Sequence, residues 1–310
     1  MGSRGSPLAL TQSQSIKELL VPDVVESIGI DIIKTVGDER LNSFFHEIPG
    51  KGVFTKELDE ALLDNRIDLA VHSLKDLPTE LPPGLCVSAI PERADPRDVM
   101  VAREGQLISL GSLPSGSKIG TSSIRRAAML LATYPGLKPT PIRGNVDSRL
   151  RRLDEGEYDG LILAGAGLIR LGLIDRISEW IEWDSWLNSP GQGALGIVIR
   201  EDDRKTNDYL QNVHCPISQT VVTAERSFLA TLGGGCEVPI AAGCLHQGKY
   251  LRLKGLIVSA DGSKMVRGDV TGSAEFPEVL GEELANELLN RGANVLLEEL
   301  ANDIIFPGMQ

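Results

Sequence analysis

Apolar and polar residues along the first two thirds of the chain follow patterns that predict strands and helices in turn. Short apolar runs predict buried strands at residues 30–36, 69–71, 86–90, 118–119, 139–142 and 160–164. Apolar residues spaced three or four positions apart predict helices at residues 7–20, 55–65, 123–133, 146–155 and 166–171. Strands that alternate with helices favour parallel or mixed sheets, so we expect the α/β class with ligands at the strand ends.

Capping residues mark the predicted ends of several helices. Ser6 followed by Pro7 is typical of an N-cap and the first helical position. Asn145 suits the N-cap of the helix at residues 146–155, and Gly156 stops that helix.

The pattern changes after about residue 215. Three strands are predicted at residues 241–245, 250–259 and 264–271, and Asp261-Gly262 favours a hairpin between the last two. An amphipathic helix at residues 277–291 carries leucines at positions 280, 284 and 288 on one face and stops at Gly292. We expect a small C-terminal α+β domain with a three-stranded antiparallel sheet.

Length, charge and cysteine usage narrow the class of protein. A chain of 310 residues favours two domains or three small ones, and a net charge of −12 makes general nucleic-acid binding a poor candidate. No apolar run approaches the roughly 20 residues of a membrane span, and no signal peptide is visible. We therefore expect a cytoplasmic protein. Few histidines and no CxxC pair predict that no metal is bound, while a Cys236–Cys244 disulfide fits the spacing but is less favoured in the cytosol.

Arginines concentrate in one region of this acidic chain. Ser122 and Ser123 resemble a hydroxyl-rich turn that opens a helix, and Arg125 and Arg126 fall in its first turn. Because the N-terminus of a helix is itself positive, two arginines there indicate that an anion lies nearby. Arginine favours planar, bidentate carboxylate or phosphate partners, so we expect a pocket for a small polyanion.

Other arginines leave two interpretations open. Arg143 ends a predicted strand before a capped helix, and Arg149 lies one helical turn further on. Arg151 and Arg152 fit a solvated helix face better. Arg170 either binds an anion or complements the dipole at a helix C-terminus.

Three further segments combine reactive residues with strand ends or loops. Lys75 and Asp76 follow a buried strand and form either an acid–base site or a surface ion pair. Lys51 and Phe54 belong to a glycine-bearing loop that either closes over a ligand or only connects elements. Cys236 follows three glycines and has no evident histidine partner, so it is either an attachment point or an ordinary loop residue.

Nine of these segments, in order, resemble the porphobilinogen deaminase (hydroxymethylbilane synthase) family. Any one is weakly specific, but the ordered series is highly specific. The matching segments are residues 4–10, 51–58, 70–78, 92–99, 120–126, 143–149, 163–173, 191–196 and 233–239.

The resemblance implies a reaction and a cofactor. One dipyrromethane per chain would be joined to Cys236 through a thioether. Four porphobilinogen molecules would be condensed onto it, releasing four ammonia molecules, and water would free the linear tetrapyrrole hydroxymethylbilane. Asp76 would stabilise the cationic azafulvene formed as ammonia leaves. Each pyrrole carries an acetate and a propionate, which matches the arginines. The family also favours a monomer.

The resemblance further assigns roles residue by residue. Cofactor contacts would come from Lys75, Ser122, Ser123, Arg125, Arg126, Arg143 and Gly144. Substrate contacts would come from Arg4, Ser6, Arg149 and Arg170. Lys51 and Phe54 would belong to the active-site loop, and Gln192 to a segment that joins the first two domains.

The implied fold has three domains. The first comprises residues 1–93 and 194–212 and carries the catalytic aspartate, and the second is the arginine-rich domain at residues 97–188. Both would be α/β domains like periplasmic binding proteins and would enclose a cleft. The third, at residues 216–310, would carry the cofactor cysteine.

Two positions depart from the family pattern. Only Met1-Gly2-Ser3 stand where relatives have a full strand, so either the true start lies upstream or the first strand is clipped. We expect a weakened sheet edge there and a less firmly placed Arg4. Glu47 stands where relatives often have a lysine, which removes a positive charge next to the Lys51 loop.

Two other functions are compatible with parts of the pattern. A non-enzymatic binding protein for a small anion would share the cleft, but it predicts a signal peptide and needs neither Cys236 nor Asp76. A nucleotide- or phosphate-dependent transferase should show a Walker loop or a dinucleotide fingerprint. Neither is present, and the glycine run at residues 233–235 lacks the lysine of a P-loop.

Overall fold

The computed structural model describes residues 1–20, 28–35, 55–234 and 238–302. The chain divides into two compact units, one of Met1–Asp95 with Gly193–Gln219 and one of Pro96–Gln192 with Thr220–Gln310. The described part contains two five-stranded mixed sheets with helices and one three-stranded antiparallel sheet, which confirms the α/β class and the C-terminal sheet. The three-domain boundaries stay a prediction.

Strands and helices are numbered here in chain order over the described residues. The strands are β1 (Gly2–Ser3), β2 (Asp31–Ile32), β3 (Leu69–Ser73), β4 (Leu85–Ala89), β5 (Asp98–Val101), β6 (Lys118–Gly120), β7 (Lys138–Thr140), β8 (Gly160–Ala164), β9 (Glu179–Trp180), β10 (Leu195–Arg200), β11 (Ile240–Gln247), β12 (Tyr250–Val258) and β13 (Met265–Ser273). The α-helices are α1 (Pro7–Leu19), α2 (Lys56–Leu63), α3 (Ile124–Thr133), α4 (Val146–Asp154), α5 (Gly165–Arg170), α6 (Arg204–Leu210), α7 (Pro216–Thr231), α8 (Pro277–Leu288) and α9 (Asn294–Asn302).

The sheet of the first unit has the order β2-β1-β3-β10-β4. Strand β1 pairs in parallel with both β2 and β3, whereas β10 runs antiparallel to β3 and β4. Strand β1 therefore lies inside the sheet, with β2 at the edge, and the expected weakening stays a prediction. A Cβ at Gly2 would lie 2.4 Å from Ile67 Cδ1, so glycine permits the close packing of β1.

The sheet of the second unit repeats this arrangement with the order β7-β6-β8-β5-β9. Strands β6, β7 and β8 are parallel, and β5 runs antiparallel to β8 and β9. Its core includes the fully buried Met100, Ile119 and Ile162. In each unit, parallel strands thus end at the sheet edge where a strand of the opposite direction begins.

The third sheet is a meander in the order β11-β12-β13. Helix α8 covers it, and its Leu280, Leu284 and Leu288 are buried, which confirms the predicted apolar face. The hairpin predicted at Gly262 is also confirmed, with φ of 73°. A Cβ at Gly262 would lie 2.5 Å from the backbone nitrogen of Ala132, so both the turn and the close approach to α3 require glycine.

The structure also contains elements that the sequence pattern did not predict. Strands β5, β9 and β10 and helices α6 and α7 are among them. The strand expected at residues 30–36 is limited to β2 within the described residues. None of the helices in the described part of the chain is long and apolar enough to cross a membrane.

Candidate functional site

The predicted site residues of the first unit share one edge of its sheet. Parallel strands β1 and β3 end at this edge, and β10 begins there because Leu195 pairs with Ser73. Arg4 and Ser6 follow β1 directly, and Lys75 and Asp76 follow β3. Ligand sites of α/β sheets lie beyond such carboxyl ends, so the fold brings these four residues to a suitable edge.

A single 3₁₀ turn, Leu74–Asp76, presents the Asp76 side chain. Leu74 and Leu77 are buried on either side of the exposed Asp76, and the Leu77 backbone N–H donates to the Leu74 carbonyl at 3.2 Å. The turn is thus anchored by apolar burial, while its carboxylate faces outward. Lys75, in the same turn, is half-buried.

His72 is a buried neutral group beside this turn. It lies in β3 with only 5% of its surface exposed, and its Nε2 has no hydrogen-bond partner among the residues that the structure describes. Burial, together with the positive charge of Arg4, lowers the pKa of His72 from 6.5 to about 4. At neutral pH the imidazole therefore adds no positive charge next to Arg4.

The low pKa of His72 predicts a loss of stability in weak acid. The unfolded chain binds a proton near pH 6.5 and the folded chain only near 4, so the free energy of unfolding falls as the pH drops through that window. Over the full window, this shift lowers the free energy of unfolding by about 3 kcal/mol. In His72→Asn we expect urea unfolding between pH 7 and 4 to show a flatter pH dependence. An unchanged slope in His72→Asn would contradict the assignment.

The second unit gathers its predicted residues at an equivalent edge of its own sheet. Strands β6, β7 and β8 end there, and antiparallel β5 begins there because Asp98 pairs with Ala164. Ser122 and Ser123 follow β6, and Arg143 follows β7. Helix α5, which ends in Arg170, follows β8 directly. The edge therefore combines hydroxyl groups with several cations.

The two serines join neighbouring strand ends. The Ser122 hydroxyl donates to the Ile142 carbonyl, which links the segment after β6 to the one after β7. Ser123 is the N-cap of α3, and its Oγ accepts a hydrogen bond from the backbone nitrogen of Arg126 at 3.4 Å. The predicted hydroxyl-rich turn at the start of this helix is thus confirmed, with Ser123 as its cap.

Asp98 is the anion that the arginine pair of α3 contacts. Its side chain is fully buried; Oδ2 lies 2.8 Å from Arg125 Nη1, and Oδ1 lies 2.8 Å from Arg126 Nη2. Trp186 Nε1 donates to Oδ2 at 2.9 Å, and Gln192 Nε2 donates to Oδ1 at 2.8 Å. Burial alone would raise the pKa of Asp98, but attraction and hydrogen bonds from the two arginines hold it far below its usual range.

This network refines the expectation that Arg125 and Arg126 face an external anion. Sequence analysis did not single out Asp98, because it precedes the pair by a long stretch of chain. The available signal was a charged residue at the start of the apolar run at residues 99–101. The expected cofactor contacts of the pair stay a prediction, and Arg125 Nε is buried without a partner among the described residues.

Arg149 and its neighbours form a concentration of positive charge. The Arg149 Nε donates to the Gly144 carbonyl at 2.7 Å, which holds the side chain back along α4 towards the end of β7. Burial, followed by repulsion from Arg126 and Arg143, lowers the pKa of Arg149 to about 10. Burial also lowers the pKa of Arg170 to about 10. Cations held under such conditions favour binding of an anion.

Removing one of these cations should stabilise the protein in the absence of ligand. A pKa lowered from 12.5 to about 10 means that the charged Arg149 destabilises the folded state by at most about 3 kcal/mol. The substitution also removes the hydrogen bond to Gly144, which stabilises the folded state by about 1 kcal/mol. We expect Arg149→Met to raise the unfolding free energy of the cofactor-free chain by about 2 kcal/mol, measured by urea titration. The control Arg151→Met, on the exposed face of the same helix, should change little. A destabilised Arg149→Met chain would contradict the charge argument.

Several predicted residues lie outside the described part of the chain. They are Lys51, Phe54, Glu47 and Cys236. Gln192 lies within the described residues and belongs to the Asp98 network. It is the last residue of the second unit before the chain returns to the first unit at Gly193.

Comparisons with known proteins identify the family. Residues 1–208 match the family model described as "Porphobilinogen deaminase, dipyromethane cofactor binding domain", and residues 219–290 match the model of the porphobilinogen deaminase C-terminal domain. The porphobilinogen deaminase of Roseiflexus sp. (strain RS-1) is 46% identical over 300 residues, covering 96% of this chain and 97% of the relative. That of Pelobacter propionicus is 44% identical over 301 residues, covering 97% and 96%.

A solved structure, the VFT2 domain of Bordetella pertussis BvgS, matches with 13% identity and a TM-score of 0.36, covering 66% of this chain and 76% of that one. This similarity is distant, whereas the sequence relatives match over nearly the whole chain. The chain belongs to the porphobilinogen deaminase family.

Proposed function

We propose that this chain condenses four porphobilinogen molecules head to tail onto a dipyrromethane joined to Cys236. Four ammonia molecules are released, and hydrolysis frees hydroxymethylbilane. Family membership supports this transferase reaction over a non-enzymatic anion-binding protein or a phosphate-dependent transferase. The structural observation that carries the proposal is the concentration of cations around Arg149 at one sheet edge of the second unit.

The residues of this edge fit a group that carries several carboxylates. Arg149 is under repulsion from Arg126 and Arg143, and the buried Arg125 Nε has no acceptor among the described residues. A dipyrromethane bears an acetate and a propionate on each ring, and guanidinium groups bind carboxylates through paired hydrogen bonds. A bound polyanion would therefore relieve the repulsion among the arginines and satisfy the free donor.

When bound, the dipyrromethane supplies the pyrrole carbon to which new rings are added. The residues of this chain perform the remaining tasks. Arg143, Arg149 and Arg170 bind carboxylates and thereby orient the pyrroles. Ser122 and Ser123 fix the loop from which the arginine pair starts.

Asp76 acts on the incoming substrate. Its carboxylate stabilises the positive charge that develops on porphobilinogen as ammonia leaves, because a fixed negative group next to developing positive charge lowers the barrier. Arg4, Ser6 and Lys75 lie at the same sheet edge of the first unit and bind the carboxylates of substrate and cofactor. Lys51 and Phe54 belong to the active-site loop.

The same proposal extends to cellular location, oligomeric state and binding partners. We infer a cytoplasmic monomer that takes a small-molecule substrate and has neither a membrane nor a nucleic-acid partner. An acidic chain with a charge of −12 supports the last point. Sedimentation equilibrium should give the mass of a single chain.

The deciding experiment is the intact mass of the purified protein, with peptide mapping around Cys236. We expect an added mass equal to two linked pyrrole units on the Cys236 peptide. If the chain is unmodified, incubation with porphobilinogen should produce that mass increase. A chain that stays unmodified after this incubation, although folded, would contradict the proposed function.

A further inference from the structure

The Asp98 carboxylate receives five hydrogen bonds from four side chains, all within the second unit. Arg126 Nε and Nη2 and Gln192 Nε2 donate to Oδ1, while Arg125 Nη1 and Trp186 Nε1 donate to Oδ2. Every donor is itself buried. A carboxylate saturated in this way fixes the rotamers of all its partners.

The two arginines differ in how many of their side-chain nitrogens have hydrogen-bond partners within the protein. Arg126 also donates from Nη1 to the Ile162 carbonyl at 3.1 Å and from Nη2 to Gln192 Oε1 at 3.3 Å, so each of its nitrogens has an internal partner. Arg125 donates from Nη1 to the Leu187 carbonyl at 2.9 Å, but its Nε has no acceptor among the described residues. Of the two, Arg125 alone keeps a buried nitrogen without a partner in the described part of the chain.

The charges of the network do not balance. One carboxylate faces two guanidinium groups, and Asp98 remains ionised because its pKa is held far below its usual range. A net positive charge therefore remains at a buried position, which is costly unless an anion approaches. Without Asp98 the two guanidinium groups would repel each other and lose their fixed directions.

We propose that Asp98 is a positioning residue that sets the direction of Arg125 and Arg126 before the anionic pyrroles bind. Arg126 then serves as an internal clamp, and Arg125 is the member of the pair that contacts a carboxylate of the bound pyrroles. This inference rests on the proposed function, because the proposed function supplies the anion. Gln192 extends the clamp, because its Nε2 also donates to the Pro96 carbonyl at 2.7 Å. Asp98 thus ties the arginine pair to both ends of Pro96–Gln192, the first of the two segments of the second unit.

Trp186→Phe tests this role with little change in charge. It removes one hydrogen bond to Asp98 Oδ2, the oxygen that Arg125 shares, and keeps both ion pairs. Loss of a buried hydrogen bond to a charged group is equivalent to about tenfold in affinity. We expect KM for porphobilinogen to rise about tenfold while kcat stays within about twofold. A smaller fraction of chains should carry the cofactor mass.

Leu110→Ala is the matched control. Leu110 is buried in the same hydrophobic cluster as Trp186 but contributes nothing to the Asp98 network, so it should lower Tm without changing KM or the cofactor-bearing fraction. Asp98→Asn should reduce cofactor loading and affinity further than Trp186→Phe, because the amide turns a donor towards Arg125 and Trp186. If Asp98→Asn does not fold, the comparison of Trp186→Phe with Leu110→Ala decides.

The outcomes separate this role from a purely structural one. Wild-type KM and loading in Trp186→Phe would overturn the proposal, and so would equal losses in Leu110→Ala at an equal decrease in Tm. A wild-type chain that gains no pyrrole mass would instead overturn the proposed function itself.

Discussion

Replacing Asp76 by alanine is expected to abolish nearly all turnover while the protein stays folded. The carboxylate is exposed on a 3₁₀ turn whose position depends on the buried Leu74 and Leu77, so its removal leaves no cavity. Surface substitutions of this kind change stability by roughly 0.5 kcal/mol or less. Loss of a charge that stabilises the transition state should lower kcat by at least about 10²- to 10³-fold.

This prediction is tested by the rate of product formation per cofactor-bearing chain. Intact mass gives the fraction of Asp76→Ala chains that carry the cofactor, and product formation is then divided by that fraction. Glu80→Gln, an exposed carboxylate a few residues further along the chain, should retain wild-type kcat and Tm. A kcat in Asp76→Ala within a few-fold of wild type would rule out its central role, and a large drop in Tm would show that the turn depends on the side chain.

Local signals predicted those parts of the fold that depend on neighbouring residues. Helix α1 begins after Ser6, whose Oγ accepts from the Ala9 nitrogen at 3.3 Å, and α3 begins after Ser123. Gly156 has φ of 85° at the end of α4, as a C-terminal glycine should. In each case, a side chain or a free φ angle acts within one turn of its own position, so the sequence displays the signal directly.

Elements that depend on distant partners could not be predicted in this way. Strand β1 comprises two residues and exists because β2 and β3 bind it on both sides. Strand β10 is buried along most of its length and takes its direction from pairing with β3 and β4. Short apolar runs do not carry information about such partners, and a buried strand lacks the alternation that marks a half-exposed one.

The arginine pair shows the same limit within the candidate site. Two arginines at the start of α3 correctly indicated an anion, but local sequence could not distinguish a ligand from an internal carboxylate. The structure supplies Asp98 as a partner and leaves positive charge in excess. Arg149 adds to that excess, which is why an external anion is still expected. The sequence thus predicted the chemistry of the site more reliably than the identity of each contact.

Both units bring their expected residues to the same kind of place through the same strand order. In each, the segments after parallel strands lie at the sheet edge where an antiparallel strand begins. In the first unit these segments carry Asp76 and Arg4, and in the second they carry the serines and arginines. The proposed catalytic carboxylate and most of the cations proposed for binding therefore lie at the edges of different sheets.

Replacing Cys236 by serine is expected to prevent cofactor attachment and, with it, turnover. The cysteine itself lies outside the described residues, and the elements on either side of it are α7 and β11. Helix α7 ends at Thr231, and β11 begins at Ile240. A Cβ at Gly234 would lie 2.3 Å from Ile240 Cδ1, so the glycine allows the chain to leave α7 close to the start of β11.

A thiolate forms a thioether, whereas a serine hydroxyl at neutral pH is a weak nucleophile. The Cys236→Ser chain should therefore show no added pyrrole mass after incubation with porphobilinogen. Its turnover should fall by at least about 10³-fold, the scale on which loss of a covalent nucleophile acts. Its Tm should match that of wild-type protein that carries no cofactor, because the substitution only exchanges the sulfur for an oxygen.

Cys86→Ser is the control for this prediction. Burial, followed by repulsion from Glu201, raises the pKa of the Cys86 thiol, so that thiol stays protonated and unreactive. Cys86→Ser should therefore load cofactor and turn over like wild type. Normal loading in Cys236→Ser would mean that another group carries the cofactor, and peptide mapping would then identify it. Loss of loading in Cys86→Ser at unchanged Tm would place the attachment in the first unit, which would contradict the role assigned to the loop between α7 and β11.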